Sequence, residues 1–290
     1  MQVSPVTNQY NCNKMTAKPT FTAHYDKYIK HIKNQKGDGK IYGYGDIKNY
    51  SHLFRNLRFF QQMPIIIDKK FPNGVKIYDY ACSSGYEPAS IVMSIEDRLP
   101  KEKANKFFPI FAFDKNPQII QEAQRYQLRL NGAENRSFEY FENIKKSNYF
   151  TSIGIDFQKQ EICNETDNLR QKIIFKNGDL FEDAENDKIS KEPCVLFFRN
   201  SWQFLTSDGI EKLANLLSKK LKPKSLLFIG DEDIDKFYDM RTDKILQKHN
   251  FKPIKEFEPI KYTSPKNMKI NNRITMFEHG NLSDLCYEKE

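Results

Sequence analysis

A chain of 290 residues, 39% hydrophobic and 29% charged, can bury one large core, or a core domain with a small appendage, and is not a disordered polymer. Its formal charge of +8 is spread among interleaved lysines and acids, which permits an acidic partner but lacks the concentrated patch of a nucleic-acid binder. No run reaches the roughly 18 apolar residues that a membrane span requires, and the polar start has no signal-peptide core, so a cytoplasmic location is expected.

Residues 1–20 read as a flexible tail. Over 21–70 the segments FTAHYDKYIKHIKN and SHLFRNLRFFQQMPIII place apolar residues at helical spacing around the loop KGDGKIYGYGD, which predicts an N-terminal helical region. From residue 71 the pattern changes to a domain that runs to 290. VKIYDYAC (75–82) is an apolar strand, followed by SSG and the amphipathic segment EPASIVMSIEDRL, with Pro88 suited to a first helical turn. FFPIFAFD (107–114) is a second strand, and NPQIIQEAQRYQLRL after it reads as a helix. Residues 131–171 are too long and too polar for a simple crossover and read as an inserted small subdomain with β-rich character. KIIFKNGDLF (172–181), PCVLFFRN (193–200) and KSLLFIGDED (224–233) are further strands, with the helix GIEKLANLLSKKL before the last of them. FKPIKEFEPIKY (251–262) and RITMFEH (273–279) have no helix between them and predict a closing hairpin. Alternating strands and helices with short links predict an α/β fold, a doubly wound and mostly parallel sheet.

Cys12, Cys82, Cys163, Cys194 and Cys286 form no CxxC pair, which speaks against a disulfide framework and a zinc site; no metal is expected. Cys82 and Cys194 fall in apolar strand segments and read as core residues.

Ligands of such sheets bind beyond the carboxyl ends of the strands. Collected there are Ala81-Cys82-Ser83-Ser84-Gly85, then Glu87; Asp114; Asn177-Gly178-Asp179-Leu180; and Arg199-Asn200. Gly85 allows a positive φ or a close ligand approach. An acid at the position of Asp114 can hold both ribose hydroxyls, and Asp179 with Leu180 suits an adenine edge and ring. Asp114 could equally cap the helix that follows. One glycine in the turn is not GxGxxG, and there is no GKS or GKT. Glu87 near a helix start disfavours a pyrophosphate and suits a cationic or zwitterionic ligand such as S-adenosylmethionine.

DYACSSGYEPASIVMSIEDRL closely resembles the cofactor segment of chemotaxis-receptor (CheR-type) methyltransferases, A-C-S-[ST]-G-E-E-P-Y-S-I-A-M, departing at Tyr86 and Ala89 and conservatively at Val92. SHLFRN, FAFDKNPQIIQEAQRYQL, IIFKNGDLFED, CVLFFRNSWQFL and LKPKSLLFIGDED resemble further blocks of that family in order, so the resemblance spans about residues 50–235. It implies a Rossmann-like methyltransferase that uses S-adenosyl-L-methionine on a glutamate of a protein partner. The cofactor-binding residues it implies are Ser51, Arg55, Ala81, Ser83, Gly85, Glu87, Asp114, Lys115, Asp179, Leu180 and Asn200. Arg55, Arg199, Asn200 and Phe204 are implied beside the reaction centre. A tyrosine of the family is Phe204 here, its first acid of E-E-P is Tyr86, and its G-H-S-E is Gly230-Asp231-Glu232-Asp233. Two other readings stay open: a silent regulator that binds the cofactor, and a nucleic-acid methyltransferase. FFRNSWQF lacks the [DN]-P-P-[YF] motif of the latter, and Trp202 reads as core rather than as a base-stacking residue.

Overall fold

The apolar runs become the middle of one sheet. The computed structural model describes residues 51–234, 242–254 and 286–290; the predicted tail, residues 21–50 of the helical region and the predicted strand 273–279 lie outside the described residues. Helix α1 (Leu57–Lys70) starts where the Asn56 side chain accepts the Phe59 N–H, and ends with Lys69 and Lys70 against the carbonyl end of the helix dipole. It leads into β1 (Ile77–Tyr80), α2 (Tyr86–Arg98), β2 (Ile110–Asp114) and α3 (Pro117–Ala123). β3 (Gln127–Leu130), β4 (Phe150–Ile155) and β5 (Glu161–Glu165) follow, then β6 (Ile173–Asn177), α4 (Leu180–Glu185), β7 (Val195–Phe197) and α5 (Ser207–Lys220). The chain continues with β8 (Leu226–Phe228), α6 (Thr242–Lys248), β9 (Phe251–Pro253) and β10 (Cys286–Lys289).

The main sheet has the order β6-β2-β1-β7-β8-β10-β9. Its first five strands are parallel, and β10 runs antiparallel to both β8 and β9. Strand order reverses between β1 and β7, which makes the carboxyl ends of those two strands the switch point of the fold. The cause of the parallel core is visible in burial: Val195, Leu196, Phe197, Leu226, Leu227 and Phe228 are wholly buried, as strands covered on both faces require. Phe59 of α1 lies edge-on to Phe228 at 5.2 Å and to Phe197 at 6.2 Å, so α1 closes over β7 and β8. Trp202 is fully buried, its Nε1 donating to the Phe198 carbonyl at 2.9 Å, so it offers no face to a nucleic-acid base.

Several predicted boundaries change. The helix after β2 ends at Ala123, because Tyr126 adopts φ 55° and turns the chain; QLRL then becomes β3, with Leu128 and Leu130 buried and Gln127 and Arg129 outward. The third predicted strand stops at Asn177, and Asp179 opens α4. The fifth stops at Phe228, and Asp231–Ile234 coils into a short 3-10 helix. Of the predicted closing hairpin, Phe251–Pro253 is strand, and its described partner is β10 near the C-terminus. Residues 127–165 hold a second sheet, antiparallel, in the order β3-β5-β4, with a register shift between Ser152 and Gly154.

Candidate functional site

The turn after β1 is tightly wound. Ala81, Ser83 and Gly85 have φ of 61°, 52° and 99°. Glycine fits this conformation, while each non-glycine residue in it costs about 1–2 kcal/mol. Position 85 is doubly constrained, since a Cβ there would lie 3.0 Å from the Phe175 ring. The strain is held by Asp114 at the end of β2: its Oδ2 accepts the Ser83 N–H at 3.0 Å and its Oδ1 the Asn116 N–H at 2.9 Å. Burial pushes the Asp114 carboxyl up, opposed by these backbone donors and by Lys115. Asp114 is not the cap of α3. That cap is Asn116, whose side chain accepts the Gln118 N–H at 3.0 Å.

The Asp114 carbonyl in turn holds the end of β6, accepting from the Gly178 N–H at 3.1 Å and from Asn177 Nδ2 at 2.9 Å. Asp179 spends Oδ1 on the first turn of α4, accepting the Phe181 N–H at 2.8 Å, and Leu180 is buried in the core. Lys115 is exposed beside Asp114.

Across the switch point, Arg199 follows β7 with its side chain wholly buried. One guanidinium nitrogen donates to Glu87 Oε2 at 2.9 Å, another to the Arg55 carbonyl at 3.1 Å, and the group lies 4.1 Å from the Phe59 ring centroid. Burial raises the Glu87 carboxyl, and the charges of Arg199 and Arg55 oppose this. Arg55 sits in a loop fastened by two backbone donors: the Phe54 N–H to Ser90 Oγ at 2.9 Å and the Leu53 N–H to Glu134 Oε1 at 3.1 Å. Phe54 and Asn56, its neighbours on each side, both have positive φ. Ser51 is half-buried at the start of this loop.

Asn200 also has positive φ, at 53°. Its loop is organised by Asp233, which is wholly buried: Oδ2 accepts from the Asn200 and Gly230 N–H groups at 2.7 and 2.8 Å, and Oδ1 from the Trp202 N–H at 3.0 Å. Backbones approach closely there, since a Cβ on Gly230 would lie 2.5 Å from the Asn200 backbone nitrogen and 2.1 Å from its Oδ1. Phe204 ends the one-turn helix Trp202–Phe204 and is half-buried.

The fold thus gathers Arg55, Glu87 and Arg199 into one cluster, with Asp114 bracing the adjoining turn. The sequence reading missed three residues that organise it. Asp79 lies in the middle of β1, paired on both sides, with its carboxyl 1% exposed and neither oxygen hydrogen-bonded. Burial pushes that carboxyl well above the usual range, with Glu87 and Asp114 adding to the rise and Arg199 opposing it. A single acid inside an apolar strand was the signal available. Asp233 stands last in the Gly230–Asp233 block, which reads by its residue types as drifted; the amides it gathers show a clear role. Glu134 carries no local signal that would tie it to Leu53. Among the described residues, no group of three His, Cys, Asp or Glu could hold a metal ion, and no helix is long and apolar enough to cross a membrane.

The family model described as CheR methyltransferase, SAM binding domain, matches residues 49–247. A chemotaxis protein methyltransferase of Borreliella burgdorferi is 24% identical over 220 residues, 72% of this chain and 73% of that one. Chemotaxis protein methyltransferase 2 of Vibrio cholerae serotype O1 is 28% identical over 160 residues, 55% of this chain and about half (51%) of the relative. A chemotaxis protein methyltransferase of Listeria monocytogenes serovar 1/2a is 23% identical over 190 residues, 64% of this chain and 65% of the relative.

Proposed function

The chain belongs to the CheR methyltransferase family, a family of S-adenosylmethionine enzymes, and from that premise we propose that it methylates a glutamate carboxylate of a protein partner. The observation that carries this reading is the pair between the buried Arg199 and the half-buried Glu87 beside the Asp114-braced turn, at the switch point of the sheet. The curated relatives bear names of chemotaxis methyltransferases, which favours a receptor-like protein as the acceptor.

The residues present suit the cofactor. Glu87 and Asp114 both lie close enough to Asp79 for their charges to raise its carboxyl, and Ser83 Oγ is buried without a partner. This acidic edge complements a ligand that carries an ammonium and a sulfonium. Bound S-adenosylmethionine supplies an electrophilic methyl group; a glutamate acceptor is already ionised near neutral pH and needs no strong base. The work left to the protein is orientation and exclusion of water. In this reading Asp114 receives the ribose hydroxyls, each of its oxygens keeping a lone pair beyond its backbone donor. Glu87 and Arg55 face the amino-acid end of the cofactor. Arg199 acts as a positioning residue that holds Glu87, and Asn200 with Phe204 borders the acceptor.

Asp114→Ala is expected to weaken S-adenosylhomocysteine binding by about 1.5–3 kcal/mol, because the hydroxyls lose a charged acceptor while their desolvation remains. Calorimetric titration measures it, and an unchanged dissociation constant would remove Asp114 from the ribose role.

The acceptor is tested with labelled cofactor on glutamate-containing peptides and lysate proteins. Base-labile label on protein is the expected result, since a carboxyl ester hydrolyses in base. Phe204→Tyr adds a hydroxyl where the family has one. A hydrogen bond to a carboxylate is worth about 1.5–3 kcal/mol, so turnover is expected to rise roughly ten- to a hundredfold. Base-stable label would reject the carboxylate, and no label from a protein that binds cofactor would favour a silent regulator.

A further inference from the structure

β3 is an edge strand of the small sheet, bonded to β5 on one side only. Edge strands present unpaired N–H and C=O groups that must find partners. At Arg129 both are taken by one side chain: the Tyr86 hydroxyl donates to the Arg129 carbonyl at 2.8 Å and accepts from the Arg129 N–H at 3.0 Å. Tyr86 is the first residue of α2, between Gly85 of the strained turn and Glu87, the partner of Arg199. Its own carbonyl accepts from Ser90 Oγ at 2.7 Å, and that same oxygen receives the Phe54 N–H.

A second fastening runs from the same part of the chain to the other side of the site. Glu134, 4% exposed, accepts the Leu53 N–H through Oε1 and the Asn131 N–H through Oε2, closing a capping box on the short helix after β3. β3 and the short helix after it therefore meet the site at two points. One is adjacent in sequence to Glu87, the other two residues from Arg55.

We propose that Tyr86 is a coupling strut, through which ligand binding at the turn 81–85 is transmitted to β3 of the small sheet. Resting on the cofactor reading above, this makes the small sheet a responsive wall of the site rather than an appendage tethered by its chain ends. The residue types are specific to the device. A glutamate, which stands at this position in the motif the chain resembles, is acceptor-only when ionised and could not donate to the Arg129 carbonyl. Phenylalanine would keep the ring and lose both bonds.

The test is amide hydrogen exchange on the full chain, wild type and Tyr86→Phe, with and without S-adenosylhomocysteine. Without ligand, the Arg129 amide is expected to exchange about two- to tenfold faster in Tyr86→Phe, the equilibrium weight of one neutral hydrogen bond. With ligand, wild type is expected to slow at both 81–85 and 127–130, and the variant at 81–85 alone. Unchanged exchange at Ile77–Tyr80 and Val195–Phe197 shows that the variant keeps its fold. Equal ligand-induced slowing of 127–130 in both proteins, or an Arg129 amide indifferent to the substitution, overturns the strut. Absence of slowing at 81–85 in wild type overturns the cofactor reading instead, and the ligand-free comparison still decides whether the strut holds Arg129.

Discussion

Arg199→Ala is expected to lower the free energy of unfolding by about 3 kcal/mol, the lower end of the cost of breaking a buried ion pair, since Arg199 is wholly buried and Glu87 keeps some exposure. The variant takes from Glu87 the guanidinium hydrogen-bonded to it, leaving the charge of Arg55, in a place where burial already raises its carboxyl. It also strips the Arg55 carbonyl of a donor and the Phe59 ring of its cation. Glu87→Gln in the Arg199→Ala background should recover part of the loss, because a neutral amide carries no uncompensated charge. Urea unfolding of the four proteins of this cycle measures the coupling. A loss below about 1 kcal/mol in the single variant is what an exposed pair would give, and would contradict the burial described here.

Asp79→Asn is expected to make the ligand-free protein more stable than wild type, by an amount that grows with pH. The folded-state pKa of Asp79 lies well above its unfolded value because the group is buried without a hydrogen-bond partner. The sign follows directly. Below about pH 4, the unfolded value, the acid is neutral in both states and its contribution is fully present. As pH rises toward the folded value, the unfolded chain releases the proton while the folded chain keeps it. Stability then falls by about 1.4 kcal/mol per pH unit, up to the folded pKa. Asparagine carries no such proton, so the difference between the two proteins isolates Asp79. Glu165, pushed up to about 8 by burial, adds a slope of the same sign to both proteins and cancels in that difference. Thermal unfolding from pH 4 to 8 gives the measurement. Parallel curves for the two proteins would mean that Asp79 is ionised and compensated in the fold.

The turn Ala81–Gly85, the acid ending β2, and the residues after β6 and β7 were legible because each is a local signal: an apolar run, then a turn residue, then a helix start. Their shared edge followed from the rule for open sheets. Asp114 shows the limit. Sequence offered ribose acid or helix cap, and only the folded structure shows Asn116 holding the cap while Asp114 braces the turn 31 residues away. The residues after Ala123 show a second limit. An apolar spacing that continues a helix on paper was broken by one left-handed residue, Tyr126, and QLRL then followed the two-residue alternation of a strand.

By itself the sequence determined the α/β class, the parallel middle of the sheet and the sheet edge at which the candidate site residues gather, because apolar periodicity and turn chemistry act over a few neighbouring residues. The tertiary structure alone decided that Arg199 meets Glu87, that Asp233 gathers the amides of Asn200, Trp202 and Gly230, that Tyr86 holds Arg129, and that β10 fills the gap between β8 and β9. Those partners lie far apart along the chain, apart from Asp233 and Gly230. Ion pairs and hydrogen bonds depend on ångström distances and on angles, and these exist only once the sheet has set the direction of each side chain.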